Sequence, residues 1–184
     1  MSSTRWSAPT RCSLRRVTKP PPLAHVVLHE PEIPNNTGNI GRTCVALGAA
    51  LHLIHPLGFD VGEKACRRAG LDYWPRLEKH EHASKRAYDD WRGGARPWVF
   101  TARGGTPVFD ADLAVGDHLL FGGETRGLPD EVLEAHGDRL VCLPMRRGER
   151  SLNLATAVCA ALYELLRRGV KAGDVRLDGS RLDF

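Results

Sequence analysis

From residue 24 onward, short apolar runs alternate with stretches of helical periodicity, and this alternation restricts the chain to a mainly parallel sheet covered by helices. The apolar runs at His25–His29, 51–55, 98–102, 118–122 and 140–143 predict strands. Between the first two, residues 36–47 predict a helix closed by Gly48, because glycine tolerates the left-handed turn that ends many helices. Asp60 and Glu63 form a D-x-x-E start for a short helix ending near Gly70, and a further helix is predicted over 84–91, stopped by Gly93-Gly94. The last helix, 152–168, carries Leu154, Val158, Leu162 and Leu165 in a stripe widened by Ala155, Ala157, Ala160 and Ala161. A helix apolar over so wide an arc is buried on more than one side, in its own domain or against a second subunit.

The length of 184 residues and an apolar content of 42% suit one compact α/β domain with a single active site. The expected division is a basic, disordered extension over 1–24, the folded domain over 25–170, and a polar, poorly ordered tail over 171–184. The longest apolar stretch, 152–166, is interrupted by Asn153, Thr156, Tyr163 and Glu164, so no membrane span and a soluble protein are expected. Cys12, Cys44, Cys66, Cys142 and Cys159 contain no C-x-x-C pair and read as free thiols of a reducing cytoplasm.

The net charge of +4 suggests nucleic acid until it is divided along the chain. Arg5, Arg11, Arg15, Arg16 and Lys19 give the acid-free extension +5, which leaves 21 basic against 22 acidic side chains in the remainder. Bulk charge therefore does not argue for RNA binding by the folded part, and local motifs must carry that case. The extension itself is compatible with a basic arm that holds RNA, a start codon placed too early, or an organellar transit peptide. Against the last, it has no evident amphipathic helical stretch.

The sequence has no G-x-G-x-x-G, no P-loop, no H-E-x-x-H and no G-x-S-x-G. Three other segments each follow a predicted strand. They are Pro34-Asn35-Asn36-Thr37-Gly38-Asn39-Ile40-Gly41-Arg42-Thr43-Cys44, Leu120-Phe121-Gly122-Gly123-Glu124-Thr125-Arg126-Gly127-Leu128-Pro129, and Leu143-Pro144-Met145 with Arg150-Ser151-Leu152-Asn153-Leu154-Ala155. In open α/β sheets the ligand crevice lies beyond the carboxyl ends of the strands, so the three can converge. Gly122-Gly123 and Gly127 permit close backbone approach to a ligand. Leu143-Pro144-Met145 offers an apolar wall with backbone groups free for an adenine edge, and Ser151 and Asn153 supply compact polar groups at a helix start. Turn chemistry and helix capping explain each segment singly; the combination needs more.

In this order and at these separations, N-x-x-N-x-x-R-T-C, F-G-x-E-T-R-G-L-P and P-M-x-x-x-x-R-S-L-N-L-A resemble the signature motifs of the SPOUT RNA ribose methyltransferases. His29-Glu30-Pro31-Glu32-Ile33-Pro34, Arg68-Ala69-Gly70-Leu71-Asp72-Tyr73 and Gly105-Thr106-Pro107 are similar to the minimal branch acting on the wobble cytidine or uridine of tRNA. The resemblance covers residues 25–168 and implies an α/β fold with a deep C-terminal trefoil knot. It also implies S-adenosyl-L-methionine bound bent in the knot loops, tRNA as substrate, and a homodimer whose RNA sites draw on both subunits. Methylation at another tRNA or rRNA ribose, or a catalytically silent RNA-binding member of the fold, are the alternatives.

By the same resemblance Arg42 and Asn36 are catalytic. Thr101, Gly122, Leu143, Met145, Ser151, Leu152 and Asn153 bind the cofactor, and Glu124 and Arg150 serve the substrate. Family proposals make the arginine a general base; a guanidinium stays protonated in almost any protein setting, which favours stabilising the developing alkoxide and gripping a phosphate. The sequence departs from the family at Gly123, where proline is expected, and at Ala155, where serine is common. No metal is required. His52 with His55 and His80 with His82 have spacings a metal would accept, but without a third ligand nearby they read as structural or exposed. Of the basic groups Arg67-Arg68, Arg146-Arg147 and Arg150, only Arg150 lies inside a motif.

Overall fold

The computed structural model describes residues 21–60 and 71–183. Residues 1–20 of the basic extension, and all but the first residue of the helix expected between Asp60 and Gly70, lie outside them. In chain order the elements are β1 (His25–His29), α1 (Pro34–Leu47), β2 (Ala50–Ile54), β3 (Lys79–His82), α2 (Lys85–Arg92), β4 (Trp98–Phe100), β5 (Thr106–Pro107), β6 (His118–Phe121), α3 (Asp130–Ala135), β7 (Leu140–Cys142), α4 (Leu154–Ala172), β8 (Arg176–Asp178) and β9 (Arg181–Asp183). Short 3-10 turns at Trp74–Arg76 and Gly137–Arg139 precede β3 and β7.

Strands β1 to β7 form one sheet in the order β3-β2-β1-β6-β4-β7-β5, with every neighbouring pair parallel. Side chains alternate across the strands. Val26, Leu28, Leu51, Leu53, Leu119, Phe121, Phe100 and Val141 share a core with Ile40, Cys44 and Leu47 of α1 and Val158, Leu162 and Leu165 of α4. On the opposite face Val27, Ile54, Val99 and Leu120 pack with Tyr88 of α2 and Val132 of α3.

The five apolar runs are all strands, and the differences have local causes. Strands β4, β6 and β7 end before Ala102, Gly122 and Leu143, because the chain leaves the ladder there to build loops. The two sheet edges carry no apolar signal: β3 reads Lys-His-Glu-His, and β5 is two residues ending in Pro107, which an edge tolerates. Gly48 closes α1 in the left-handed conformation at φ 67°, and Ser84 caps α2 by accepting from the Ala87 N–H.

The ends of the chain depart furthest from expectation. Leu23 and Ala24, assigned to the extension, are fully buried, and the Leu23 N–H donates to the Gly48 carbonyl at 2.9 Å. The tail over 171–184 is not poorly ordered throughout: α4 runs on to Ala172, and β8 and β9 pair as an antiparallel hairpin. The hairpin is held because Val175 is buried and Leu182 packs against the core. No helix among the described residues is long and apolar enough to cross a membrane.

Candidate active site

A cavity of about 530 Å³ opens at the carboxyl ends of β4, β6 and β7 and beside the start of α1. Its walls are Ile33 and Asn36, the loop from Phe100 to Arg103, the loop from Phe121 to Leu128, and Leu143, Met145, Arg150, Ser151, Leu152, Asn153, Leu154 and Ala157. Parallel pairing gives all these strands the same direction, which brings their following loops to one rim. The cavity gathers Thr101, Gly122, Leu143, Met145, Ser151, Leu152 and Asn153, together with Asn36, Glu124 and Arg150. It leaves out Arg42.

The second loop is folded on itself through glycine. A Cβ on Gly122 would lie 2.1 Å from the carbonyl carbon of Gly127, so no other residue fits. Gly127, at φ 69°, donates its N–H to the Gly123 carbonyl at 2.9 Å. A Cβ on Gly123 would lie 2.8 Å from the Glu30 carbonyl oxygen. Proline at 123 would press on that oxygen, which accounts for glycine at this departure from the family pattern.

Three carbonyl-bearing side chains tie the three loops together. Glu124 accepts from the Glu32 N–H at 2.8 Å, the Ile33 N–H at 3.3 Å and the Asn36 Nδ2 at 2.9 Å. Asn36 in turn accepts at Oδ1 from the Asn153 Nδ2 at 2.9 Å. Asn153 caps α4 with Oδ1, accepting from the Ala155 N–H at 2.9 Å and the Thr156 N–H at 3.3 Å. The chemistry fixes both amide orientations: a carboxylate only accepts and a helix N-terminus only donates, so each amide between them has one allowed sense. The Thr125 hydroxyl also donates to the Glu32 carboxylate, a second link between the first two loops.

Arg42 stands six residues, about 1.7 turns, beyond Asn36 on α1, about 9 Å farther along the helix axis and turned to a different side of it. Its side chain is 65% exposed, 3.9 Å from the Asp72 carboxylate, with the guanidinium carbon 4.7 Å from the centre of the Tyr73 ring. Tyr73 is a contact that apolar periodicity did not announce; its only signal was the Leu71-Asp72-Tyr73 part of a family segment. Arg126 and Arg150 are exposed at the cavity, Arg146 and Arg147 are exposed in the loop beside Met145, and Arg103 pairs with Asp130.

The paired histidines belong elsewhere. His52 is fully buried, its ring nitrogens 2.9 Å from His25 Nδ1 and 3.0 Å from His82 Nε2. His80 stacks on His52 and His25 on His118, while His55 pairs with Glu81 on the sheet edge. Burial, reinforced by the neighbouring imidazoles, pushes His52 down to about 2, and burial with His25 and Arg92 nearby pushes His118 down to about 4. Among the described residues no group of three or more His, Cys, Asp or Glu side chains has the geometry to hold a metal. Burial pushes the Cys44 thiol up to about 12, which leaves it inert.

A glycine-folded backbone wall, apolar side chains and a few convergent polar groups form a pocket of the size and chemistry that takes a nucleoside-like ligand. Residues 24–163 match the model of the SpoU rRNA methylase family. The chain is 45% identical over 155 residues to a tRNA (cytidine(34)-2′-O)-methyltransferase of Burkholderia ambifaria, covering 79% of this chain and 96% of that protein. A solved structure described as giving structural insights into the 2-OH methylation of C/U34 on tRNA is 47% identical, with a TM-score of 0.75 over 82% of this chain and 99% of the other. A SpoU methyltransferase from Streptomyces viridochromogenes, solved in complex with AdoMet, is 28% identical, with a TM-score of 0.69 over 86% of this chain and 62% of its own. With these motifs gathered on one rim of a parallel sheet and these likenesses running through the whole fold, the chain belongs to the SpoU methylase family of RNA methyltransferases.

Proposed function

We propose that this protein methylates the ribose 2′-hydroxyl of the wobble nucleotide, cytidine or uridine 34, of tRNA, using S-adenosyl-L-methionine. The observation that carries this reading is the bonded chain Glu124–Asn36–Asn153, which locks the three motif loops around one cavity. The relative from Burkholderia ambifaria is named for 2′-O-methylation of cytidine 34 in tRNA, and the two chains align over nearly all of its length.

The residues present suit the methyl donor. Gly122 has no room for a Cβ and leaves its backbone open to the cavity, and Leu143, Met145 and Leu152 give an apolar wall. Thr101, Ser151 and Asn153 contribute the polar contacts of the same cradle. When bound, the cofactor supplies an electrophilic methyl on a sulfonium. Asn36 and Glu124 border the place where the ribose must enter, and the exposed Arg150 meets the phosphates beside it.

Arg42 works on the RNA rather than on the methyl donor. A guanidinium remains protonated, so it stabilises the developing alkoxide and grips the adjacent phosphate, and in-line positioning provides the rest of the acceleration. Its position outside the cavity of its own chain suits a homodimer in which each RNA site draws on both subunits. The half-exposed Tyr163 on α4 and Ile33 and Leu152 near the cavity mouth offer apolar surface for such an interface. The family implies a trefoil knot in the C-terminal part of the fold; there β7, which follows β4 and β5 in the chain, lies between them, with the Leu140 carbonyl oxygen 2.6 Å from where a Gly105 Cβ would stand. The free thiols Cys44, Cys142 and Cys159 fit the cytoplasm.

Incubating total tRNA with labelled S-adenosylmethionine, followed by nucleoside mapping, tests the reading. The expected product is 2′-O-methylated cytidine or uridine at position 34. Label at another ribose overturns the site assignment, and cofactor binding by calorimetry without transfer to any tRNA identifies a silent member of the fold.

A further inference from the structure

We propose that Tyr73 is the positioning residue of Arg42, holding the guanidinium by its face so that its edge donors stay free for the RNA. The inference rests on the reading of Arg42 as the catalytic residue.

The segment carrying Tyr73 sits directly on the backbone of α1. A Cβ on Gly41 would lie 2.9 Å from the Trp74 ring, and one on Gly38 would lie 3.6 Å from the Tyr73 hydroxyl oxygen. Tyr73 is 3% exposed and donates its hydroxyl to the Gly38 carbonyl at 2.5 Å. In an α-helix that same carbonyl receives the N–H of the residue four positions on, which is Arg42. The ring is thus fixed to the helical turn from which the arginine projects.

The guanidinium carbon lies 4.7 Å from the ring centre, well inside the range of a cation–π contact. Stacking uses the face of the planar group and leaves the N–H donors at its edge available, whereas a carboxylate partner would occupy them. Asp72 does not compete strongly: at 3.9 Å, and with both side chains mostly exposed, its pairing is weak and yields to a phosphate.

The test replaces Tyr73 in the full-length protein by phenylalanine and by a fluorinated phenylalanine, whose shape is nearly kept while negative charge is withdrawn from the ring face. Single-turnover methyl transfer at saturating tRNA is read beside cofactor affinity, thermal melting and the ring-current shift of the Arg42 Nε proton. From Tyr73→Phe to the fluorinated ring, transfer falls by about two- to fivefold, the range an exposed cation–π contact allows, with cofactor affinity unchanged. The Arg42 proton shift changes in step, which a merely structural role for Tyr73 would not produce. Equal transfer rates for the two rings overturn the proposal. Arg42→Ala, measured alongside, separates the two readings: a wild-type rate there sinks the role of Arg42 itself, while a large loss there with equal rings sinks only the role of Tyr73.

Discussion

Asn153 donates its Nδ2 to the Oδ1 of Asn36 at 2.9 Å across 117 positions of sequence, and with the same amide's Oδ1 it caps the last helix. One side chain therefore serves two structures, the start of α4 and the polar floor of the cavity, and substitution can separate them.

Asn153→Asp retains a good helix cap, so unfolding free energy should stay within about 1 kcal/mol of wild type. The new carboxylate cannot donate to Asn36 and faces its carbonyl oxygen instead. Methyl transfer should fall by about tenfold or more, because the part-buried link that holds Asn36 in place is lost and small misplacements of a reacting group are costly. Asn153→Ala should lose both, destabilising by about 1 kcal/mol as well. Equal stability losses for the two variants in chemical denaturation would contradict this separation.

Gly122→Ala places a methyl 2.1 Å from the Gly127 carbonyl carbon, where backbone and not a flexible side chain must move. A destabilisation of about 1–3 kcal/mol is expected, with weakened cofactor binding in calorimetry. Gly127→Ala meets nothing within 4 Å but must hold φ 69°, so its cost should be about 1–2 kcal/mol from backbone strain alone.

Arg42→Ala should leave thermal stability nearly unchanged, because the side chain is exposed and weakly paired. Transfer at saturating substrates should drop by about 100-fold or more, the scale seen when a group that stabilises developing charge is removed. Cofactor affinity should be preserved, since Arg42 is not part of the cavity wall. Weakened cofactor binding would place it in a different role.

Acid should destabilise the protein through the histidine row. His52 and His118 have folded values of about 2 and about 4, below the 6.5 of an exposed imidazole, and burial also lowers His25 and His82. Above pH 6.5 both folded and unfolded chains hold these rings neutral. Below it the unfolded chain binds protons that the folded chain refuses, so stability falls as pH drops from 6.5 toward 4 and, for His52, further toward 2. Each such group steepens the loss by at most about 1.4 kcal/mol per pH unit. Urea unfolding between pH 5 and 8 should show the decline, and His52→Leu should make it shallower while lowering stability at neutral pH.

The sheet interior was readable because buried parallel strands are apolar on both faces: Val26, Val27 and Leu28 announce β1 without ambiguity. The polar edge strand Lys79–His82 was not, since its place depends on pairing with β2 and on the stacking of His80 against His52. In the site, residues that directly follow a strand were legible because strand direction fixes where they go. The position of Arg42 was not, because helical spacing tells neither how far a side chain stands from a cavity nor that Tyr73 lies beneath it. The bonds of Glu124 to Glu32, Ile33 and Asn36 span about 90 positions, and only the assembled sheet brings such partners together.

The slot that β7 fills between β4 and β5 sets an order of assembly. Both neighbours are made before it, and among the described residues β5 has β7 as its only strand partner, so residues 140–142 supply the pairing that joins β5 to the sheet, and the segment from Leu143 to Asn153 completes the cavity only afterwards. During synthesis the earlier strands can associate while the ribosome is still working. The ability to hold the methyl donor arrives last, and a prematurely terminated chain ending before residue 140 would possess most of a sheet and no enzyme.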